Sequence, residues 1–259
     1  MSIHLIPNAD GSSSFKDDAS GREVLRLTAN NGANHDPATF VRVLDHFDGD
    51  VISDQWSAAQ GTDGQGAIAA VVAGEAGGWV RLTCGDTTVV AESLSSLTRG
   101  LNWKANKGGL HFKTIVRPLT SVANVSYFVG FTDVLATTTL EDPMSLSGTT
   151  LTTTATDAVG FLFDTAADND TWHCQGVKNG TDTALLNTGL APAAATEQVL
   201  EIFLDTSGNA TFLINGSVVG TVAAAVTATV ALTPVITVMA RTTTVKSLDA
   251  DFVLVESLR

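Results

Sequence analysis

Two acidic side chains held a few ångströms apart can hydrolyse a glycosidic bond, so pairs of Asp and Glu are the first chemistry to look for. The best-placed pair is in Glu201-Ile202-Phe203-Leu204-Asp205. On a strand the two carboxylates share a face but lie ~13 Å apart, beyond the separation either glycosidase mechanism uses. Glu141-Asp142 are adjacent and would point to opposite faces. A serine nucleophile would need a Gly-x-Ser-x-Gly elbow, which does not occur, so Ser12 to Ser14 and Ser95-Ser96 read as loop serines. The histidines, His4, His35, His46, His111 and His173, show no metal-ligand spacing. His173 and Cys174 are strand neighbours that face apart, so they cannot close one metal site. Asp164, Asp168 and Asp170 offer the hard oxygens that calcium prefers, although their spacing reads as a solvated acidic loop. For sugar stacking, Trp56, Trp79 and Trp172 sit in strand-like patterns and read as core. Trp103, in Leu101-Asn102-Trp103-Lys104-Ala105-Asn106, is the single platform candidate, because its neighbours are polar.

The elements that must position these residues are strands. From Val199 to Thr221 apolar residues alternate, at Leu200, Ile202 and Leu204, then Ala210, Phe212 and Ile214, then Val218. Asn215-Gly216 between the last two runs is a type I′ hairpin turn, so a three-strand antiparallel meander is expected. Its opposite face carries Phe203 and Leu213, so cover over part of that face is expected too. Further strands read at Trp79–Cys84, Thr87–Ala91, Leu110–Val116, Val125–Thr132, Val159–Phe163, Trp172–Val177, Val226–Leu232, Val235–Ala240 and Phe252–Val255. Val125 to Thr132 is apolar on both faces, as in a central strand under cover. The Thr-rich Leu135 to Thr156 reads as a surface excursion or functional loop. No long amphipathic helix is visible, which makes an all-β, two-sheet sandwich the expected fold class.

Residues 1 to about 40 are polar, with only Val24-Leu25-Arg26-Leu27 resembling a strand. Composition alone reads them as a loose terminus. Across all 259 residues, 44% are hydrophobic, which supports a sizeable core, and no run is long enough for a membrane helix. A net charge of −13 argues against nucleic acid, whose phosphates want a Lys/Arg stripe. Cys84 and Cys174 are too few and too far apart for a secreted disulfide scaffold and read as separate buried thiols. The first residues show no basic region followed by an apolar core, so no signal peptide is expected.

Several motifs then fall into a familiar order. Asp45-His46-Phe47-Asp48-Gly49 with Trp56 opens the globular part. Phe128-Val129-Gly130-Phe131-Thr132-Asp133, Gly160-Phe161-Leu162-Phe163-Asp164 and Trp172 to Asn179-Gly180 follow. Asp205-x-x-Gly208-x-x-x-Phe212-x-x-Asn215-Gly216 and Leu248-Asp249-x-Asp251-Phe252-Val253-Leu254-Val255 close it. Residues 41–259 with these motifs resemble concanavalin A-like, laminin-G-type jelly rolls, in the form found in structural proteins of tailed bacteriophages. The resemblance implies an antiparallel jelly-roll sandwich at 41–259 preceded by an extended N-terminal arm at 1–40 that orders on a neighbouring subunit. It implies a virion protein, foremost a head decoration or cement protein on the outer capsid surface, made in the host cytoplasm. Its partners would be the major capsid protein and further copies of itself, as a homotrimer, with no nucleic acid or membrane. Calcium is the one ion such sandwiches often hold; no other cofactor is implied. Sugar binding through Trp103 is the alternative, as a module of a phage tail or fibre protein. Hydrolysis comes third: glycosidases of this fold carry Glu-x-Asp-x-x-Glu on one strand, and the third carboxylate is missing here.

Overall fold

In the computed structural model the described residues are 3–7, 13–17, 23–27, 40–60, 68–75, 77–85, 94–119, 121–134 and 142–258. The expected strand at 87–91 and the carboxylate of Glu141 lie outside them. The chain divides into two compact units, Met1–Arg42 with Leu258–Arg259, and Val43–Ser257. In the first unit β1 (Ile3–Pro7), β2 (Ser13–Asp17) and β3 (Glu23–Leu27) pair antiparallel into one sheet. The sequence pattern reveals only the third, because short Ser-rich strands such as β2 show no apolar alternation.

The second unit is a sandwich. Its early strands are β4 (Phe40–Asp45), β5 (Ser57–Gln60), β6 (Ile68–Val71), β7 (Val80–Cys84) and β8 (Leu94–Thr98). The central ones are β9 (Leu110–Pro118), β10 (Val125–Thr132), β11 (Met144–Ser147), β12 (Thr150–Thr153), β13 (Ala158–Asp164) and β14 (His173–Lys178). After the short β15 (Thr181–Asp182) and β16 (Leu186–Asn187) come β17 (Gln198–Leu204), β18 (Ala210–Ile214), β19 (Ser217–Val222), β20 (Thr233–Ala240) and β21 (Lys246–Leu258). One sheet runs β15-β14-β13-β10-β20-β8-β5, and the other β19-β18-β17-β9-β21-β7-β6. Among the described residues there is no α-helix, only a 3-10 turn at Ala105–Lys107. The fold is thus the two-layer antiparallel sandwich that the alternation predicts, in the jelly-roll form that the resemblance implies.

Alternation explains which side chains meet. Phe112 of β9 packs edge-on against Phe131 of β10 at 5.6 Å, and Phe212 of β18 against Phe161 of β13 at 5.2 Å. Such aromatic pairs join the inner faces of the two sheets and add to the burial energy. The expected meander is β17-β18-β19, with Asn215 (φ 52°) and Gly216 (φ 79°) both left-handed, as the turn demands.

The two outer faces differ. Every residue of β10, β13 and β20 is buried, because the β11–β12 hairpin lies over the outer face of their sheet. Met144 and Leu146 of the hairpin pack with Phe128, Leu162, Val177 and Val235. The Thr-rich stretch is therefore the cover that an all-apolar Val125–Thr132 needs. On the other sheet β9 alternates strictly between buried and half-exposed positions, leaving that outer face open. Val226 to Leu232 is not a strand. Its backbone is spent on turns and crossings, with Val226 N–H donating to Gly208 O (3.2 Å) and Asn106 N–H to Ala228 O (3.0 Å).

Candidate functional site

The open face of the second sheet carries clusters of ionisable side chains. Antiparallel register sets Glu201 opposite Lys113 and Phe203 opposite His111 across β17 and β9, while Glu256 of β21 lies opposite His111 on its other side. Three neighbouring strands thus deliver one cluster. Glu201 Oε1 is 2.7 Å from His111 Nε2, and Glu256 Oε2 is 3.1 Å from His111 Nδ1. Lys113 Nζ is 3.5 Å from the second oxygen of Glu201. The Phe203 ring, 42% exposed, stacks on His111 with centroids 4.3 Å apart and planes 5° off parallel.

A second charged group continues along the same face. Asp249 is fully buried and takes a bidentate pair from Arg81, at 2.6 and 2.9 Å, and a third bond from Arg117 at 3.0 Å. Its hydrogen bonds hold the Arg81 guanidinium above the ordinary arginine pKa. Arg117 also lies over the Trp79 ring at 4.2 Å and reaches Glu75 at 3.3 Å. In both groups the carboxylates already have side-chain partners, His111 and Lys113 in the first and Arg81 and Arg117 in the second. The imidazole of His111 fills the space between Glu201 and Glu256 where a glycosidic oxygen or attacking water would have to sit.

The candidate residues read from the sequence are placed elsewhere. Asp205 is not a partner of Glu201: its carboxylate closes the β17–β18 turn, accepting from Ser207 N–H (2.8 Å), Asn209 N–H (2.9 Å) and Asn209 Nδ2 (2.7 Å). Those bonds, the Asn209 side chain foremost, hold its pKa below the usual carboxylate value. The structure does not bring Asp164, Asp168 and Asp170 together. Asp164 is fully buried, paired with Arg241 and accepting from Leu146 N–H and Ala166 N–H at 3.0 Å each, so its oxygens are taken. Among the described residues no three His, Cys, Asp or Glu side chains gather to hold a metal. Trp103 is no sugar platform either. Its backbone bridges to Leu232 in both directions, at 3.1 and 2.7 Å, which pulls the ring into the core at 4% exposure. His173 and Cys174 do face apart, and both are buried. Cys84 and Cys174 are separate thiols, and burial pushes that of Cys174 up to about 12, which leaves it inert.

His111, Glu256 and Phe203 are the site residues that sequence reasoning missed. The parity of β21 flips at the bulge between Ala250 and Val253, so that Leu248 and Ala250 before it, and Val253 and Val255 after it, all point inward. Only that slip turns Glu256 toward His111, and nothing in the local sequence marks it.

No family model matches the chain, and no curated protein matches it in sequence. Solved structures do share its shape. The carbohydrate recognition domain of Emp47p superposes with a TM-score of 0.55 at 10% identity, over 86% of this chain and 98% of that one. The Bacillus licheniformis β-glucanase gives 0.54 at 12% identity, over 82% and 96%. The globular domain of T. cruzi calreticulin gives 0.51 at 13%, over 82% and 86%. The chain is therefore a concanavalin A-like β-sandwich, a class that contains enzymes and non-enzymes alike; such low identities establish the fold alone.

Proposed function

We propose that this protein is a non-catalytic structural module, a head decoration protein of a tailed bacteriophage seated on the outer surface of the assembled capsid. The observation that carries the non-catalytic reading is the commitment of the open-face carboxylates: Glu201 to His111 and Lys113, and Asp249 to Arg81 and Arg117. A glycosidase needs one carboxyl free as acid and another free as base or nucleophile. The assignment to phage rests on the resemblance of residues 41–259 to virion modules. Attachment comes from apolar contact more than ion pairs, since a buried large apolar side chain contributes ~1.5–3 kcal/mol and an exposed salt bridge ~0–1 kcal/mol. Val51, Val218 and Val245, each at least half exposed, supply such contacts. The N-terminal unit crosses to a neighbouring copy, the assembly is a homotrimer, and repetition on the shell adds avidity.

Electron cryomicroscopy of the native particle tests this reading. The expected result is density for the sandwich on the outer shell, with attachment weakened when residues 1–40 are deleted. Particles that lack the protein, or full-strength binding of the deletion variant, would overturn the corresponding part.

A second reading, carbohydrate binding without hydrolysis, is favoured by one observation. Phe203 presents an exposed ring beside Glu201 and Lys113 on the open sheet face, the combination of flat apolar surface and polar groups that sugars stack on. Retention on a glycan array that disappears in Phe203→Ala would establish it, and an array with no retention at all would remove it.

A further inference from the structure

One side of the sandwich is left unfinished. Among the described residues β6 ends its sheet, paired only with β7, and β5 ends the other, paired only with β8. Between these two edges and the loop that joins β4 to β5 runs a cavity of about 350 Å³, floored by Val51, Ala58, Ala69 and Val71 and rimmed by Asp50 and Asp54. Beside this groove a second cavity of about 240 Å³ is also lined by Asp50 and Val71, together with Asp48 and Glu75. No Lys or Arg lines either cavity. Two cations that touch lining residues are engaged: Arg99 lies over the Trp56 ring at 5.5 Å, and Arg117 reaches Glu75 from the sheet face.

The groove is built into the fold. Asp45 accepts from Phe47 N–H (2.9 Å) and from Trp56 Nε1 (2.8 Å), fixing both ends of the joining loop. Gly78 (φ 77°) sits so close to that loop that a Cβ there would lie 2.2 Å from His46 O, so only glycine lets the β6–β7 turn close against it.

We propose that this groove takes an extended, basic segment of a partner protein, which pairs with the free edge of β6 as an added strand. That edge, which has no strand partner among the described residues, offers backbone donors and acceptors at strand spacing, and the alanines of β5 and β6 leave room for a neighbouring chain. The carboxylates of Asp48, Asp50 and Asp54 are spread over these cavities and not gathered at a point, while Glu75 is already paired with Arg117; that spread suits charges spaced along a peptide better than a metal ion. A second copy of this chain is a poor occupant, because each copy carries a net charge of −13. The proposal does not depend on the virion reading, since the groove and its charge stand whatever shell or surface the protein meets.

The test uses the full-length protein and a short, acetylated and amidated peptide that alternates valine with lysine and threonine. Calorimetry gives the affinity, and amide chemical shifts give the location. The expected result is binding that shifts the Ala69–Val71 amides and weakens about tenfold in Asp50→Asn/Asp54→Asn, where the rim loses its charge. The control pair Asp168→Asn/Asp170→Asn removes the same net charge from a distant exposed loop and should leave affinity within about twofold. Absence of binding overturns the proposal. So do equal losses in the two variant pairs, equal binding of a peptide with glutamate in place of lysine, or shifts confined to another surface.

Discussion

Asp142 heads the hairpin that covers the first sheet, and its carboxyl group is in an unusual position. Both carboxylate oxygens are buried without a hydrogen-bond partner. The nearest guanidinium, Arg241, is spent on Asp164. Burial, and after it the Asp164 charge, pushes the Asp142 pKa from 3.8 up to about 8; the Met144 N–H and Thr237 hydroxyl pull it back only in part, neither reaching hydrogen-bond geometry. At neutral pH the folded protein therefore keeps a proton on Asp142 that the unfolded chain releases. Between pH 3.8 and about 8 the native state binds more protons, so this group makes stability fall as pH rises through that window, with no further loss above it. At 1.36 kcal/mol per unit, the cost at pH 7 is at most about 4 kcal/mol. Asp142→Asn keeps the shape and removes the ionisation. Urea unfolding at pH 4, 7 and 8.5 should show the variant gaining about 2–4 kcal/mol over the wild type at pH 7 and little at pH 4. A variant with the wild-type slope against pH, or with no gain at pH 7, would refute the reasoning.

Three further outcomes follow from the same contacts. Asp249→Ala leaves Arg81 and Arg117 without their shared carboxylate and should lower stability by about 3 kcal/mol in denaturant titrations. Trp103→Ala should cost about 3–5 kcal/mol of stability, because the ring is core, with the unchanged variant as the contrary result. Millimolar calcium or a chelator should leave the melting temperature where it is, since Asp164 is held by Arg241; a rise with calcium would point to a site these contacts do not show.

The sequence is most legible where alternation and turn chemistry agree. The β17-β18-β19 meander, with Asn215-Gly216 at its tight turn, can be read at once, and the two-faced apolar character of Val125–Thr132 correctly announces a covering layer. The identity of that cover is not legible, because Thr-rich Leu135–Thr156 carries few apolar residues and its Met144 and Leu146 act through distant partners. Trp103 misleads for a related reason. Its polar neighbours suggest exposure, while the backbone bridge to Leu232, remote in sequence, buries it. The open-face cluster needs three strands in one register and a bulge in β21, and neither leaves a mark on a window of ten residues. Asp205 shows the opposite error. Periodicity alone puts it on a face with Glu201, but an Asp followed by Thr-Ser-Gly-Asn is better used folding its own turn.

The hairpin laid over one sheet gives the slab an upper and a lower side. Among the described residues one broad side is covered by the chain's own hairpin, and the other carries the ionisable cluster around Phe203. Two such slabs cannot swap sides in a contact without exchanging the hairpin-covered surface for the ionisable one. Any array built from them therefore inherits a fixed orientation from the folding of a single chain.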